Sequence, residues 1–504
     1  MFRLLRPIIL LLALAICSSS QKTHEHPAPE RLGKVHFPTS CATAIQAQFD
    51  RAVALLHSFA YRAAENAFQS VAQTDPRCAI AHWGIAMTYF HQLWDPPLVV
   101  TSIPQGQNEL RAANRMRASP REREFMDALS LIYNHAPAVP YRTRAANYEH
   151  AMKAIAAKNK GDMESQVFYA LALLGNASPS DKTHARQKQA AEILQTCCGQ
   201  TLEHPGVPHY LIHAYDNAEL ASRGLTAARM YSQIAPSAPH ALHMPSHIFT
   251  RLGLWEDSIR SNLAARDAAH GQGDLGEELH AMDYLVYAYL QAGSEEDALR
   301  VVQQLKTMPS LSVPEFKVSY ATTAMPIRYI VERRRWEEAA RVEPPSGVPP
   351  QVEAIAVWAR GLGLARLGSA DARAEAEKLQ QIEAQLRRAG NDYWATQTCI
   401  LAREVDAWSA QADNKPEQAA QLMRQAADEE DALEKLPVTP GPIVPAREQL
   451  GDLLLLQDRS DLALVEFDAA LAHAPGRLAA LRGRAKATRQ PGAGHGHNFK
   501  THTP

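Results

Sequence analysis

Residues 444–477 read VPAREQLGDLLLLQDRSDLALVEFDAALAHAPGR, and this stretch decides the fold. Leu450 and Leu454 stand four apart, as do Ala463 and Phe467, and Ala470 follows three residues on. Spacings of three and four put these side chains on one face of a helix. Either helix alone would leave an apolar stripe in water, and the small residues Gly451, Ala463 and Ala470 let a neighbouring helix close over it. Pro475 ends the unit. The whole chain agrees with helix: 46% of its 504 residues are hydrophobic but only 7% aromatic, a composition that disfavours an all-β sandwich. Lys plus Arg (52) nearly cancel Asp plus Glu (54), so no long-range field draws in nucleic acid or anionic lipid.

The stretch resembles the tetratricopeptide (TPR) repeat, a helix–turn–helix unit of about 34 residues. With Val444 at position 1, Leu450, Gly451, Leu454, Ala463, Phe467, Ala470 and Pro475 fall at positions 7, 8, 11, 20, 24, 27 and 32. Position 4 departs, with Arg447 in place of tryptophan. The same ruler fits Ala64, Phe68, Val71 and Pro76, and a unit starting at Pro205 with Gly224, Ala228, Tyr231 and Pro236. It fits again from Pro239, with Gly253 at the turn, and near Leu279, with Gly293 at the turn. The resemblance implies an all-α chain, an α-solenoid of stacked helix–turn–helix repeats. The expected order is a 1–20 signal peptide, a disordered segment over 21–40, one helical array over 41–343, a second over 351–490 and a disordered tail over 491–504. Pro344–Pro350 marks the break between arrays.

The expected leader rests on Arg3 and Arg6 before the apolar run Ile8–Ile16, with Ser18, Ser19 and Ser20 after it. Such a run is too short to cross a bilayer as a mature helix, so the mature chain is expected to carry no transmembrane segment and to be exported, periplasmic or secreted. A lipid anchor on Cys17 is the weaker alternative, because Ile16 stands where a small residue is wanted. Export makes a disulfide between Cys41 and Cys78 reasonable, since Cys41 precedes the first hairpin and Cys78 opens the next. The adjacent Cys197 and Cys198 read as buried thiols.

The 21 histidines carry the functional signal. His209 and His213 take positions 5 and 9 of the unit from Pro205. His243 and His247 take the same places one repeat later, with His240 at position 2. In the next unit His280, Asp283 and Tyr287 follow at positions 2, 5 and 9, and Asp216 lies at position 12 of the first. These positions share one helix face, which in TPR proteins lines the concave groove; His57 and His91 also fall on the groove side. Paired imidazoles at i and i+4 on adjacent helices are the donors of a first-row transition-metal site for zinc, copper, iron or manganese. His209, His213, His243 and His247 are the expected ligands, with His240, His280 and Asp283 beside them and Asp216 or Asp283 bonding the outer ring nitrogens.

The segments HYLIHAYD (209–216) and PHALHMPSHIF (239–249) resemble a group of exported bacterial TPR-like proteins, a resemblance that implies a fold and a location but no substrate. Tyr210 and Met244 occupy the place where a zincin needs its glutamate, which excludes that protease class. Phosphate-cradling glycine loops and a Gly-x-Ser-x-Gly elbow are absent. Three readings stay open: a metal or small-ligand site, a metal-free groove that binds a partner's peptide, and a metal-dependent enzyme.

Overall fold

Phe467 shows how one hairpin closes on the next. Its ring fills the space that a Cβ on Gly451 would enter at 2.7 Å and a Cβ on Gly483 at 2.3 Å. Phe68 sits in the same way against Gly84, where an added Cβ would meet the ring at 2.3 Å. Glycine is required at these places because the aromatic of one helix pair is driven into the backbone of the following helix, at Gly483 and Gly84, and of its own partner helix at Gly451.

The protein is described by a computed structural model that covers residues 29–489, apart from 95–96, 135, 137, 199–202, 310 and 312–314. Among the described residues there are helices and turns but no strand. The signal peptide, the Cys17 anchor and the 491–504 tail lie outside the described residues. Helix pairs follow the repeat read from the sequence: Ala446–Leu456 with Ser460–His473, Gly206–Tyr215 with Leu225–Ile234, and Leu275–Ala292 with Glu295–Gln304. Gly253 and Gly293 turn their corners at φ 69° and 80°, a region open to glycine at little cost. The chain is an all-α solenoid of TPR-like hairpins. No helix among the described residues is long and apolar enough to cross a membrane.

Three expectations need correction. Residues 31–40 are not disordered but form an extended strap. Phe37 is fully buried and its N–H donates to Asp50 at 2.9 Å, while Lys34 N–H donates to the Glu203 carbonyl at 2.8 Å. Burying Phe37 against Phe49, Trp83 and Phe125 outweighs the entropy of ordering the strap. The division at 344–350 does not separate two arrays either. Phe316, Tyr320, Ile327 and Val331 share one apolar core with residues 352–487, and 31–489 belong to a single unit. Lastly, Cys197 is disulfide-bonded rather than a buried thiol. Cys41 and Cys78 are joined to each other, with Cα atoms 4.8 Å apart.

One departure from helix shapes the site. The segment from Pro239 is interrupted at Met244, giving Pro239–His243 and Pro245–Arg251 as separate short helices. Pro245 has no N–H to bond the carbonyl four residues earlier, so one rung of the backbone ladder is missing where the helix divides.

Candidate metal centre

Six histidines from four helices converge in the interior. Gly206–Tyr215 supplies His209 and His213, Pro239–His243 supplies His240 and His243, Pro245–Arg251 supplies His247, and Leu275–Ala292 supplies His280. They divide into two triads, His209–His213–His240 and His243–His247–His280, whose ring nitrogens lie within 4.8 Å of one another inside each triad. His209, His240, His243, His247 and His280 are buried, and His213 keeps partial exposure. The sequence grouped the two i, i+4 pairs around a single ion. The structure keeps each pair together but gives each its own third imidazole.

The hydrogen bonds fix which nitrogen carries the proton. His209 Nδ1 lies 2.6 Å from the His57 carbonyl, which can only accept. His240 Nδ1 lies 3.0 Å from Glu277, whose carboxylate also holds Lys317 at 2.7 Å. Both Nδ1 atoms are therefore donors, and both Nε2 atoms carry lone pairs. Those two Nε2 atoms face each other at 3.2 Å. The second triad repeats the pattern. His243 Nδ1 donates to Asn262 Oδ1 at 2.6 Å, and Asn262 is oriented by its own amide donating to the Ser258 carbonyl at 2.8 Å. His247 Nδ1 donates to Asp216 at 2.8 Å, a carboxylate paired with Lys435 at 2.8 Å and Arg251 at 2.9 Å. The Nε2 atoms of His243 and His247 then face each other at 3.0 Å. Each third ring has a buried nitrogen without a hydrogen-bond partner, Nδ1 of His213 and Nε2 of His280.

Burial dominates the electrostatics. It pushes the imidazoles of His209, His213, His243 and His280 well below their ordinary range, helped by the neighbouring rings. His247 is lowered to about 4 by burial, with Asp216 opposing. Burial presses Asp216 and Glu277 upward, but Lys435 and Arg251 on one and Lys317 and His240 on the other hold both well below the carboxylate range. Aromatic rings enclose the triads: Phe59 lies 4.4 Å from His209, Trp94 5.5 Å from His280 and Tyr284 4.7 Å from His243, between ring centroids.

Other residues singled out in the sequence stand elsewhere. Asp283 joins neither triad; its carboxylate turns to Arg328 at 3.6 Å on the Phe316–Glu332 helix. Tyr287 packs on Trp255 and meets Arg477 at 3.3 Å, on the wall of a separate cavity of about 170 Å³. His91 stacks on Tyr61 at 3.8 Å and bonds the Thr88 carbonyl. His57 belongs to a third cluster with Glu164 and His204, which the sequence reading missed because Glu164 lies on a helix outside the histidine repeat. In that cluster every group has a complementary partner. His204 accepts from Gly206 N–H at Nδ1 and donates to Glu164 at 2.9 Å. His57 donates to Glu164 at 2.9 Å and accepts from the Tyr210 hydroxyl at 2.9 Å. The network is satisfied by protons alone and props up the His57 carbonyl that orients His209. Glu277, Asn262, Lys435 and Tyr284 were also missed, because their spacing from the histidines carries no repeat.

The expected open groove is closed on the side of the second triad. Lys435 reaches Asp216, and the Tyr284 hydroxyl donates to the Thr439 carbonyl at 3.1 Å, so the chain's own 433–445 segment covers the outer side of His247.

No protein-family model matches the chain, and no curated protein matches it. Solved structures similar to it include the TPR domain of P58(IPK), 13% identical over 89% of this chain and 98% of that one, with a TM-score of 0.22. Naa15/Naa10 bound to HypK-THB is 10% identical over 84% of this chain and 68% of that one, with a TM-score of 0.24. A circular tandem repeat protein is 10% identical over 88% and 97%, with a TM-score of 0.15. Scores this low carry no argument about the site.

Proposed function

We propose that this chain is an exported helical-repeat protein that holds two first-row transition-metal ions, one in each histidine triad. The observation that carries the reading is the pairing of lone pairs: His209 against His240 at 3.2 Å and His243 against His247 at 3.0 Å, with every outer nitrogen of the four already donating. Two nitrogens each about 2.0–2.1 Å from one ion at a tetrahedral angle stand about 3.3 Å apart. A shared cation turns these two repulsive contacts into ligation, and the outer acceptors are the partners that fix ligating histidines. An imidazolium proton between the rings is the costlier remedy, because it places a charge in a buried, aromatic enclosure. The Cys41–Cys78 bond supports an oxidising compartment.

A metal-free peptide groove is disfavoured by the 433–445 segment, which occupies the approach to the second triad. Elemental analysis of untagged mature protein from metal-supplemented medium tests the proposal. Two equivalents per chain are expected, with a thermal upshift when zinc or copper is restored to chelated protein. Less than stoichiometric metal with no upshift overturns it.

A further inference from the structure

The two triads are neighbours as well as copies. His213 and His247 have ring centroids 6.0 Å apart, and so do His240 and His243. One imidazole pair from each triad therefore faces a pair from the other, and ions held by the two sets of Nε2 atoms occupy adjoining positions in one enclosure.

The charge around that enclosure is informative. All six donors are imidazoles, and the four whose hydrogen bonds are fixed ligate as neutral groups. The carboxylates that touch them are matched by cations of the chain itself: Glu277 by Lys317, and Asp216 by Lys435 and Arg251. Of the other acids on the His280 helix, Asp283 faces Arg328 and Glu278 meets His270 at 3.1 Å. Two divalent ions would thus bring four positive charges into a buried site whose neighbouring anions are already neutralised, a costly arrangement. Two monovalent ions bring half that charge. Among transition metals that imidazole binds, copper is the one with an ordinary monovalent state, and three neutral donors suit its low coordination number.

Resting on the metal reading above, we infer that the paired triads form a single dicopper centre whose ligand is dioxygen. Each Cu(I) gives one electron to the O2 molecule. The two electrons reduce the O=O double bond to the O–O single bond of a peroxide dianion bridging two Cu(II) ions, and no proton or further reductant enters the step. The sum of ion and ligand charge is two before and after, so the neutral-donor enclosure meets the same charge in both states. Phe59, Trp94 and Tyr284 keep water from the centre, and His213, the partly exposed member, marks the side on which a small neutral molecule enters.

The test uses intact, chelated wild-type protein loaded under nitrogen with a cuprous acetonitrile complex to saturation, then exposed to dioxygen. About one dioxygen should be consumed per copper pair, with a new charge-transfer band and little cupric EPR signal, because the bridge couples the two spins. Protein that takes up no stoichiometric metal of any kind overturns the triad reading itself. Two bound coppers that ignore dioxygen, or that oxidise to independent ions with full EPR intensity, overturn the dicopper centre alone. So does displacement of both Cu(I) ions by equimolar zinc.

Discussion

His243 and His247 stand one helical turn apart with their Nε2 atoms at 3.0 Å, while Asn262 and Asp216 hold the opposite ring nitrogens as donors. The acceptors matter as much as the rings. Without them either histidine could change tautomer and donate to the other, and the pair would be an ordinary hydrogen bond.

Asn262→Leu should therefore weaken one metal equivalent and leave the second unchanged. Asn262 touches only the second triad, so the affinity loss expected from removing an outer partner, about 10–100-fold, is confined to that ion. A competition titration against a chromophoric chelator reads both equivalents in one curve. Equal weakening of both sites would show that Asn262 acts through the fold instead.

His204→Ala separates buttress from ligand. It leaves the buried Glu164 with one of its two imidazole donors, at a cost of about 3 kcal/mol. Urea unfolding should register that loss in the metal-free protein as well as in the loaded one. Metal content should stay at two equivalents; a fall would place one of the two ions in the His57–Glu164–His204 cluster instead.

The repeat made most of this architecture legible. Gly253 and Gly293 at turns, Phe467 against Gly451, and the 34-residue offset between the two His-x-x-x-His pairs all follow from one ruler laid along the chain. What a periodic pattern cannot show is how the face is divided. His240 and His280 complete different triads, His240 with its Nε2 against His209 and His280 with its ring 4.3 Å from His243, and tertiary packing rather than the repeat makes that division. Asp283 has the right spacing but is drawn away by Arg328, a residue with no place in the histidine pattern. Glu164 and Lys435 come from distant segments, and only tertiary packing puts them beside the site. The order of the strap over 31–40 is not legible in the sequence because the segment has no helical periodicity, and its buried anchors Leu32 and Phe37 decide it.

Opening the Cys41–Cys78 bond should loosen the first hairpin. The bridge closes a loop of sequence separation 37, which restricts the unfolded chain by about 3–4 kcal/mol in the loop-entropy account. Cys41→Ser with Cys78→Ser should lower the urea midpoint, and a reducing agent should lower the wild-type midpoint by more than that of the double variant, which retains the disulfide at Cys197. Equal midpoints for the oxidised and reduced wild type would contradict this.

Glu430 gives the chain a stability that declines toward alkaline pH. Burial raises its carboxyl to about 8, with the adjacent Asp431 adding to the rise and the Ala446 N–H opposing it. The folded value lies above the unfolded one, so the contribution is complete below about pH 4.5, where both states are protonated. It shrinks as pH climbs, because the unfolded chain releases a proton that the folded chain retains, and it is lost once the pH passes about 8. Buried neutral histidines act in the opposite sense, losing stability as pH falls, so the wild-type curve alone mixes the two. Comparing Glu430→Gln with wild type reads Glu430 together with the buried Glu404, whose carboxyl burial and Glu430 both raise: the variant should gain relative stability between pH 5 and pH 8 in urea titrations, about 1 kcal/mol or more across the range. A difference that stays constant over that interval would mean that Glu430 ionises in the folded protein as it does in water.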